Sequence, residues 1–204
     1  AFYNNELSLR GEYLFHKTGK SLTNDLSNHS YVTSKTNVFF EHPYVLWQGQ
    51  RVVFREEDVP EKMITHGGNV SQDFGSDLFN LSVKIFMDIN EYNDSVHVVT
   101  TTVLDPFESF YYGPLGNENM CFINIYFDLV EIERQRLDEA ILRSDRKILS
   151  IEELYSNTMK EIRDIQMQYY KETSRGTNLK VLNRWSNTVL EKLDIDNLLI
   201  FKVE

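Results

Sequence analysis

The sequence predicts a mainly β fold of the α+β class, an antiparallel β-sandwich-like domain with one amphipathic helix packed on it. Apolar and polar residues alternate along residues 79–89, as is typical of a strand with one buried face. Polar turn residues at 90–95 then precede a second strand-like run at 96–104. Apolar residues recur with helical spacing along residues 151–173. These three observations predict a hairpin with a helix covering one of its faces.

Two local signals fix the ends of the predicted helix. Ser150 and Glu153 have the spacing of a capping box, in which a hydroxyl and a carboxylate each satisfy an unpaired backbone N–H group. Gly176 supplies a stop signal beyond the last apolar residue. Two further apolar segments, residues 120–132 and 198–203, are predicted to be additional strands of the sheet.

The chain length and the distribution of polar residues predict one folded domain. A chain of 204 residues and 24.0 kDa is long enough to bury a core within a single domain. Residues 1–37 are polar and interrupted by short apolar patches, which predicts an extended lead-in. Residues 38–204 are predicted to form the single β-rich domain that contains the helix.

The charge of the chain argues against partners that are polyanions. Asp and Glu number 31 against 21 Lys and Arg, which gives a net charge of -10. Such a charge repels nucleic-acid backbones, so no nucleic-acid partner is predicted. No apolar run approaches the ~20 residues that a membrane span needs. The single cysteine, Cys121, cannot form an internal disulfide, and its apolar neighbours predict a buried, inert thiol.

Asparagine-linked glycosylation sequons indicate an extracellular or lumenal address. The sequence has four of them, an excess for a chain of this composition, and a sugar at such a site requires a secretory environment. The glycosylation candidates are Asn28, Asn69, Asn80 and Asn93.

The sequence predicts neither catalytic residues nor a cofactor or metal. The five histidines lack the spacing of a zinc site, and the glycine pairs lack the lysine of a phosphate-binding loop. The alternative hypothesis is a metal-assisted hydrolase or nuclease centred on His66. The acidic residues near it in sequence are Glu56, Glu57, Asp58, Asp73 and Asp77.

The sequence is similar to a known family along most of its length. The similarity consists of matching spacing between segments and of scattered identical residues. The similar segments are residues 13–17, 36–42, 54–58, 75–83, 96–104, 107–112 and 165–172, followed by Trp185. In these segments the sequence resembles the region between the two membrane spans of the transmembrane protein 231 family, a component of the ciliary transition zone. The resemblance implies a domain on the extracellular or lumenal face of a cell or ciliary membrane, anchored through segments outside this chain and working in complex assembly.

The function expected from these observations is that of a noncatalytic interaction domain rather than an enzyme. Its partners are expected to be other proteins in a membrane-associated complex. A sheet with one solvated face and exposed aromatic side chains can bind a protein without any catalytic group. The interaction candidates are Tyr111, Tyr112 and Tyr170.

Overall fold

The computed structural model describes residues 44–48, 59, 61–65, 79–92, 95–112, 115–174 and 176–202 of the chain. The predicted lead-in, residues 1–37, lies outside the described residues, and the predicted extent of the single domain, residues 38–204, stays a prediction. The described part contains a long β-hairpin, several short strands and three α-helices, of which the first packs on the hairpin and the other two pack on the first.

The predicted hairpin is confirmed. Strand β4 (Val83–Tyr92) pairs antiparallel with strand β5 (Ser95–Leu104), in a register that sets Val83 opposite Leu104. A two-residue strand, β1 (Val45–Leu46), extends the sheet on the other side of β5, which gives the strand order β1-β5-β4. The turn at residues 93–94 lies outside the described residues.

A second small sheet interrupts the alternating run that the sequence suggested was one strand. Its order is β2-β6-β3, formed by β2 (Ile64–Thr65), β6 (Phe110–Tyr112) and β3 (Phe79–Asn80). Strands β3 and β6 are antiparallel, whereas β2 and β6 are parallel. Residues 81 and 82 therefore connect two sheets instead of continuing one strand.

Three helices follow the strands. Helix α1 (Asn117–Arg143) has 27 residues, α2 (Ile148–Thr173) has 26 and α3 (Leu179–Leu193) has 15. Two short 3-10 helices complete the described elements, Glu61–Met63 before β2 and Asn197–Phe201 after α3. The predicted helix at 151–173 is confirmed, although α2 begins at Ile148, before the proposed capping box.

The prediction of a mainly β, sandwich-like fold with one helix is wrong, because the described part is mostly helical around a small three-stranded sheet. The predicted strand at residues 120–132 is the first half of α1, and the predicted strand at 198–203 overlaps a 3-10 helix. Helix α1 packs against the hairpin and against both other helices. Burial on so many sides removes the polar stripe that marks a surface helix, and a continuous apolar run does not distinguish a buried helix from a buried strand.

The hairpin places one face against the helices. Ile85, Met87 and Ile89 alternate along β4 and are fully buried in the core that α1 shares with the sheet. The opposite face was predicted to be solvated, yet Phe86 and Asn90 on it are only 6% and 5% exposed. The edge-to-face contact of Tyr44 with Phe86, with ring centroids 5.1 Å apart, shows that this face is also covered.

Aromatic side chains hold the three helices together. The rings of Phe122 on α1 and Tyr169 on α2 stack with centroids 4.9 Å apart, and Trp185 on α3 meets Tyr169 edge to face at 5.5 Å. The Tyr169 hydroxyl donates a 3.1 Å hydrogen bond to the backbone carbonyl oxygen of Phe122. A buried tyrosine needs such a partner for its polar end.

Candidate functional site: a cleft between strand β4 and helix α2

A cleft of about 280 Å³ opens where the chain enters β4 and α2 passes beside it. Leu81, Val83, Met159 and Ile162 lie at its base, but each is less than 10% exposed, so most of the surface that the cleft presents is polar. Val83 lies on the helix-facing side of β4, in step with Ile85, because side chains alternate along a strand, and Leu81 belongs to the same core. The two α2 residues belong to the apolar stripe that the sequence predicted.

Lys84 forms the charged centre of the strand side of the cleft. Its ammonium nitrogen lies 2.6 Å from a carboxylate oxygen of Glu108 and 3.3 Å from one of Asp105. Burial by itself would lower the pKa of Lys84, but the hydrogen bonds to Glu108 and Asp105 outweigh it, so the pKa is raised. Lys84 is therefore a paired cation that fixes the turn at residues 105–108 against β4.

The same turn holds Glu108 at the rim of the cleft. The Asp105 carboxylate accepts the backbone N–H groups of Phe107 and Glu108 at 2.9 and 3.3 Å, which stabilises the turn. The Ser82 hydroxyl donates to the Glu108 carboxylate at 3.1 Å. Hydrogen bonding from Lys84 lowers the pKa of Glu108, so this carboxylate is ionised at neutral pH.

Helix α2 supplies the other rim through two side chains. The guanidinium group of Arg163 is exposed and forms no ion pair with any described residue. Gln166 is half-buried, and its side-chain nitrogen is buried without a hydrogen-bond partner among the described residues. Buried amide nitrogens almost always have a partner, so this donor marks unused hydrogen-bonding capacity beside the cleft.

One of the four glycosylation candidates, Asn80, lies within the described residues. Asn80 is exposed at the end of β3 and lines the cleft, where its side-chain nitrogen donates a 2.5 Å hydrogen bond to the backbone carbonyl oxygen of Glu108. Asn28, Asn69 and Asn93 lie outside the described residues. Use of any of the four sequons stays a prediction.

The three tyrosines predicted as interaction residues are not gathered at one surface site. Tyr111 is only 9% exposed and belongs to the core, whereas Tyr112 and Tyr170 are half-buried. Tyr112 lies in β6 and Tyr170 near the end of α2, so they belong to different elements. Their role in binding stays a prediction, and Tyr111 has little surface to contribute.

The structure does not test the alternative hypothesis of a metal-assisted hydrolase or nuclease. His66 and the five acidic residues named with it lie outside the described residues. Within the described ranges, no group of three or more His, Cys, Asp or Glu side chains is placed to hold a metal ion. The metal-assisted activity therefore stays a prediction.

Cys121 is buried and has the environment of an inert thiol, as predicted, although it lies in a helix instead of a strand. Burial, followed by the nearby carboxylates of Asp196 and Asp128, raises its pKa to about 12. A thiol in this environment carries almost no thiolate at neutral pH, and the thiolate is the reactive form.

Sequence reasoning missed a line of buried polar groups along α1. Asp128 is fully buried and accepts hydrogen bonds from the indole nitrogen of Trp47 at 2.8 Å and the side-chain amide of Asn197 at 2.7 Å. One turn further, the Glu131 carboxylate accepts the Thr102 hydroxyl at 2.8 Å. The available signal was a pair of acidic residues within an apolar segment, because a buried charge requires partners.

These polar contacts fix α1 in one position on the sheet. Trp47 follows β1 and Thr102 belongs to β5, so the helix is tied to two strands, while Asn197 ties it to the final 3-10 helix. Apolar packing alone tolerates small sliding movements, whereas directional hydrogen bonds specify one register. These polar contacts therefore specify how α1 packs on the sheet.

Fold and site together define a mixed α+β domain in which helix α1 packs on the hairpin, helices α2 and α3 pack on α1, and a polar-rimmed cleft opens beside the first residues of β4. No protein-family model, curated protein or solved structure matches the chain. Among the described helices, none combines the length and the apolar character required to cross a membrane. Any functional proposal therefore depends on the cleft and on the sequence itself.

Proposed function

We propose that this chain is a noncatalytic protein-interaction domain and that the cleft between β4 and α2 is its binding surface. The observation that supports the proposal best is a concave surface bordered by the polar and charged side chains of Lys84, Glu108 and Arg163. Polar and charged groups of this kind provide specificity in protein interfaces.

The two sides of the cleft suit it for contact with another protein. The strand side is held by the ion pairs of Lys84 and by the hydrogen bonds that shape the turn at 105–108. A surface that is ordered before binding loses less conformational entropy when a partner arrives. The α2 side offers Arg163, a residue type enriched in binding hot spots because it combines a planar donor array with an apolar stem.

The cellular setting is a second part of the proposal and depends on the sequence. The resemblance to the transmembrane protein 231 family and the sequons at Asn28, Asn69 and Asn93 support a position on the extracellular or lumenal face of a cell or ciliary membrane. Asn80 lines the cleft, where a glycan would occupy the binding surface, so this sequon is expected to stay unmodified. Protein partners in a membrane-associated complex fit both that position and the cleft. A glycosidase-sensitive mass for the protein purified from its own cells is the expected result, and a mass without sugar would contradict this part of the proposal.

Site-specific photo-crosslinking in the native cell tests the proposed binding surface. A photoreactive phenylalanine analogue replaces Met167 in the full-length protein, an exposed α2 residue one turn beyond Arg163, so that the proposed binding side chains stay intact. The matched control places the same analogue at Lys180, an exposed position on α3. The expected result is a discrete crosslinked adduct from position 167 that is absent from position 180, with the partner identified by mass spectrometry. Equal adducts from both positions, or none from position 167, would overturn the proposal.

A further inference from the structure

We infer that the cleft recognises an acidic side chain, a glutamate or an aspartate, presented by the partner protein. This inference rests on the proposed function and specifies the chemistry that the cleft selects. Arg163 and Gln166 would hold the carboxylate on the α2 side of the cleft.

Arg163 is the main determinant of this preference. Its guanidinium group is exposed at the rim and forms no ion pair with the residues that the structure describes. A guanidinium group presents a fork of N–H donors that matches the two oxygens of a carboxylate. Lys84 lies in the same cleft, but its charge is already engaged by Glu108 and Asp105.

The distribution of charge orients the incoming side chain. Lys84, Asp105 and Glu108 together carry one excess negative charge, so the strand side repels a carboxylate while Arg163 attracts it. The carboxylate therefore lies toward α2, and the backbone N–H groups of the partner lie toward Glu108. We therefore expect the cleft to select an acidic residue of the partner whose neighbouring backbone N–H groups are not already hydrogen-bonded within the partner.

Gln166 adds a donor that lacks an acceptor within the described residues. Its side-chain nitrogen is buried, and Gln166 is one of the residues that line the cleft. A carboxylate oxygen at this place satisfies the donor, and hydrogen bonds to charged groups are stronger than those between neutral groups. Loss of this bond is expected to weaken binding less than loss of Arg163.

Selection from a phage-displayed library of random peptides tests the inference, because internal acidic residues are available there while a free C-terminal carboxylate is not. The expected result is enrichment of peptides that contain Glu or Asp. For the synthesised peptide, affinity is expected to fall about tenfold with Arg163→Gln, to recover in part with Arg163→Lys, and to fall equally when the peptide acid is replaced by its amide. The matched control, Lys180→Gln, removes the same charge from α3 and should leave affinity unchanged.

Any one of three outcomes would overturn the inference. Failure to enrich any peptide, enrichment without acidic residues, or affinity that is insensitive to Arg163→Gln would each contradict recognition of a carboxylate. Urea unfolding midpoints of the Arg163 variants, expected to match that of the parent chain, separate lost binding from lost folding. A specific adduct from position 167 together with any of these failures would leave the interaction surface standing and reject only the acidic ligand, whereas absence of that adduct would reject the proposed function itself.

Discussion

The hydroxyl of Tyr155 on α2 donates a 3.0 Å hydrogen bond to the backbone carbonyl oxygen of Ile85 in β4. On the other side of the sheet, the backbone N–H of Trp47 bonds to the carbonyl oxygen of Thr102, which faces Ile85 across the hairpin. Backbone groups along an antiparallel strand point alternately to its two sides, so the Ile85 carbonyl must point away from β5. Tyr155 therefore satisfies a buried backbone group at the outer edge of β4 and fixes α2 beside the cleft.

Tyr155→Phe is expected to destabilise the protein by about 1–3 kcal/mol, because it leaves the buried Ile85 carbonyl without its donor while it preserves the ring. Tyr155 is 3% exposed and Ile85 is fully buried, so water cannot replace the lost bond. The measurement is the free energy of unfolding from urea titration followed by circular dichroism. Tyr112→Phe is the control, since that half-buried residue should change stability by less than about 0.5 kcal/mol. Equal effects of the two changes would contradict this account.

The parts of the fold that were predictable are those in which apolar residues alternate with more polar ones. Helix α2 has a polar side that contrasts with its buried residues, such as Ile151, Tyr155 and Ile162, and this contrast produced the helical period in the sequence. Strands β4 and β5 were predictable because their residues facing the helices alternate with more polar ones and because turn residues separate the two strands. The periodic signal depends on this contrast in polarity, and it persists in β4 although Phe86 and Asn90 on the second face are also buried.

The remaining features depend on contacts between distant parts of the chain. Residues 120–132 gave no helical period because α1 is covered by the sheet and by two helices. The cleft joins Lys84 to Glu108 across 24 residues and places both near Arg163 on α2, and no local spacing encodes that meeting. Tertiary packing determines such features, so propensity and periodicity do not reveal them.

Arg134→Met is expected to destabilise the protein by about 3 kcal/mol or more, since it leaves a buried carboxylate without its counter-charge. Two guanidinium nitrogens of Arg134 contact the two oxygens of Glu131 at 2.6 and 2.7 Å, and Glu131 is 1% exposed. Arg143→Met on the same helix is the matched control, because its partner Glu139 is largely exposed and such surface pairs contribute little. Chemical unfolding of both variants measures the difference. Similar losses would show that Glu131 does not depend on Arg134.

Gly176→Ala is expected to cost at least about 1 kcal/mol, because this glycine combines a left-handed backbone with close packing. Its φ angle is 88°, and an added Cβ atom would lie 3.0 Å from the Cβ atom of Phe122. Gly116→Ala at the start of α1 is the control, since an added Cβ there meets no atom within 4 Å and φ is -76°. Thermal unfolding of the two variants provides the comparison. A stable Gly176→Ala protein would show that the connection between α2 and α3 is not constrained as described.

The ion pair between Lys84 and Glu108 predicts a loss of stability in acid with a defined sign. The hydrogen bond from Lys84 lowers the pKa of Glu108 in the folded chain below its ordinary value of 4.5, so the stabilisation is present above that pH and is lost as the pH falls through the lowered pKa. Glu108 is 60% exposed, which limits the effect to less than about 1 kcal/mol. Urea unfolding midpoints of the parent chain and of Glu108→Gln should therefore differ at neutral pH and converge below pH 4.5. A difference that stays constant across this range would show that the Glu108 carboxylate charge does not stabilise the turn beside the cleft.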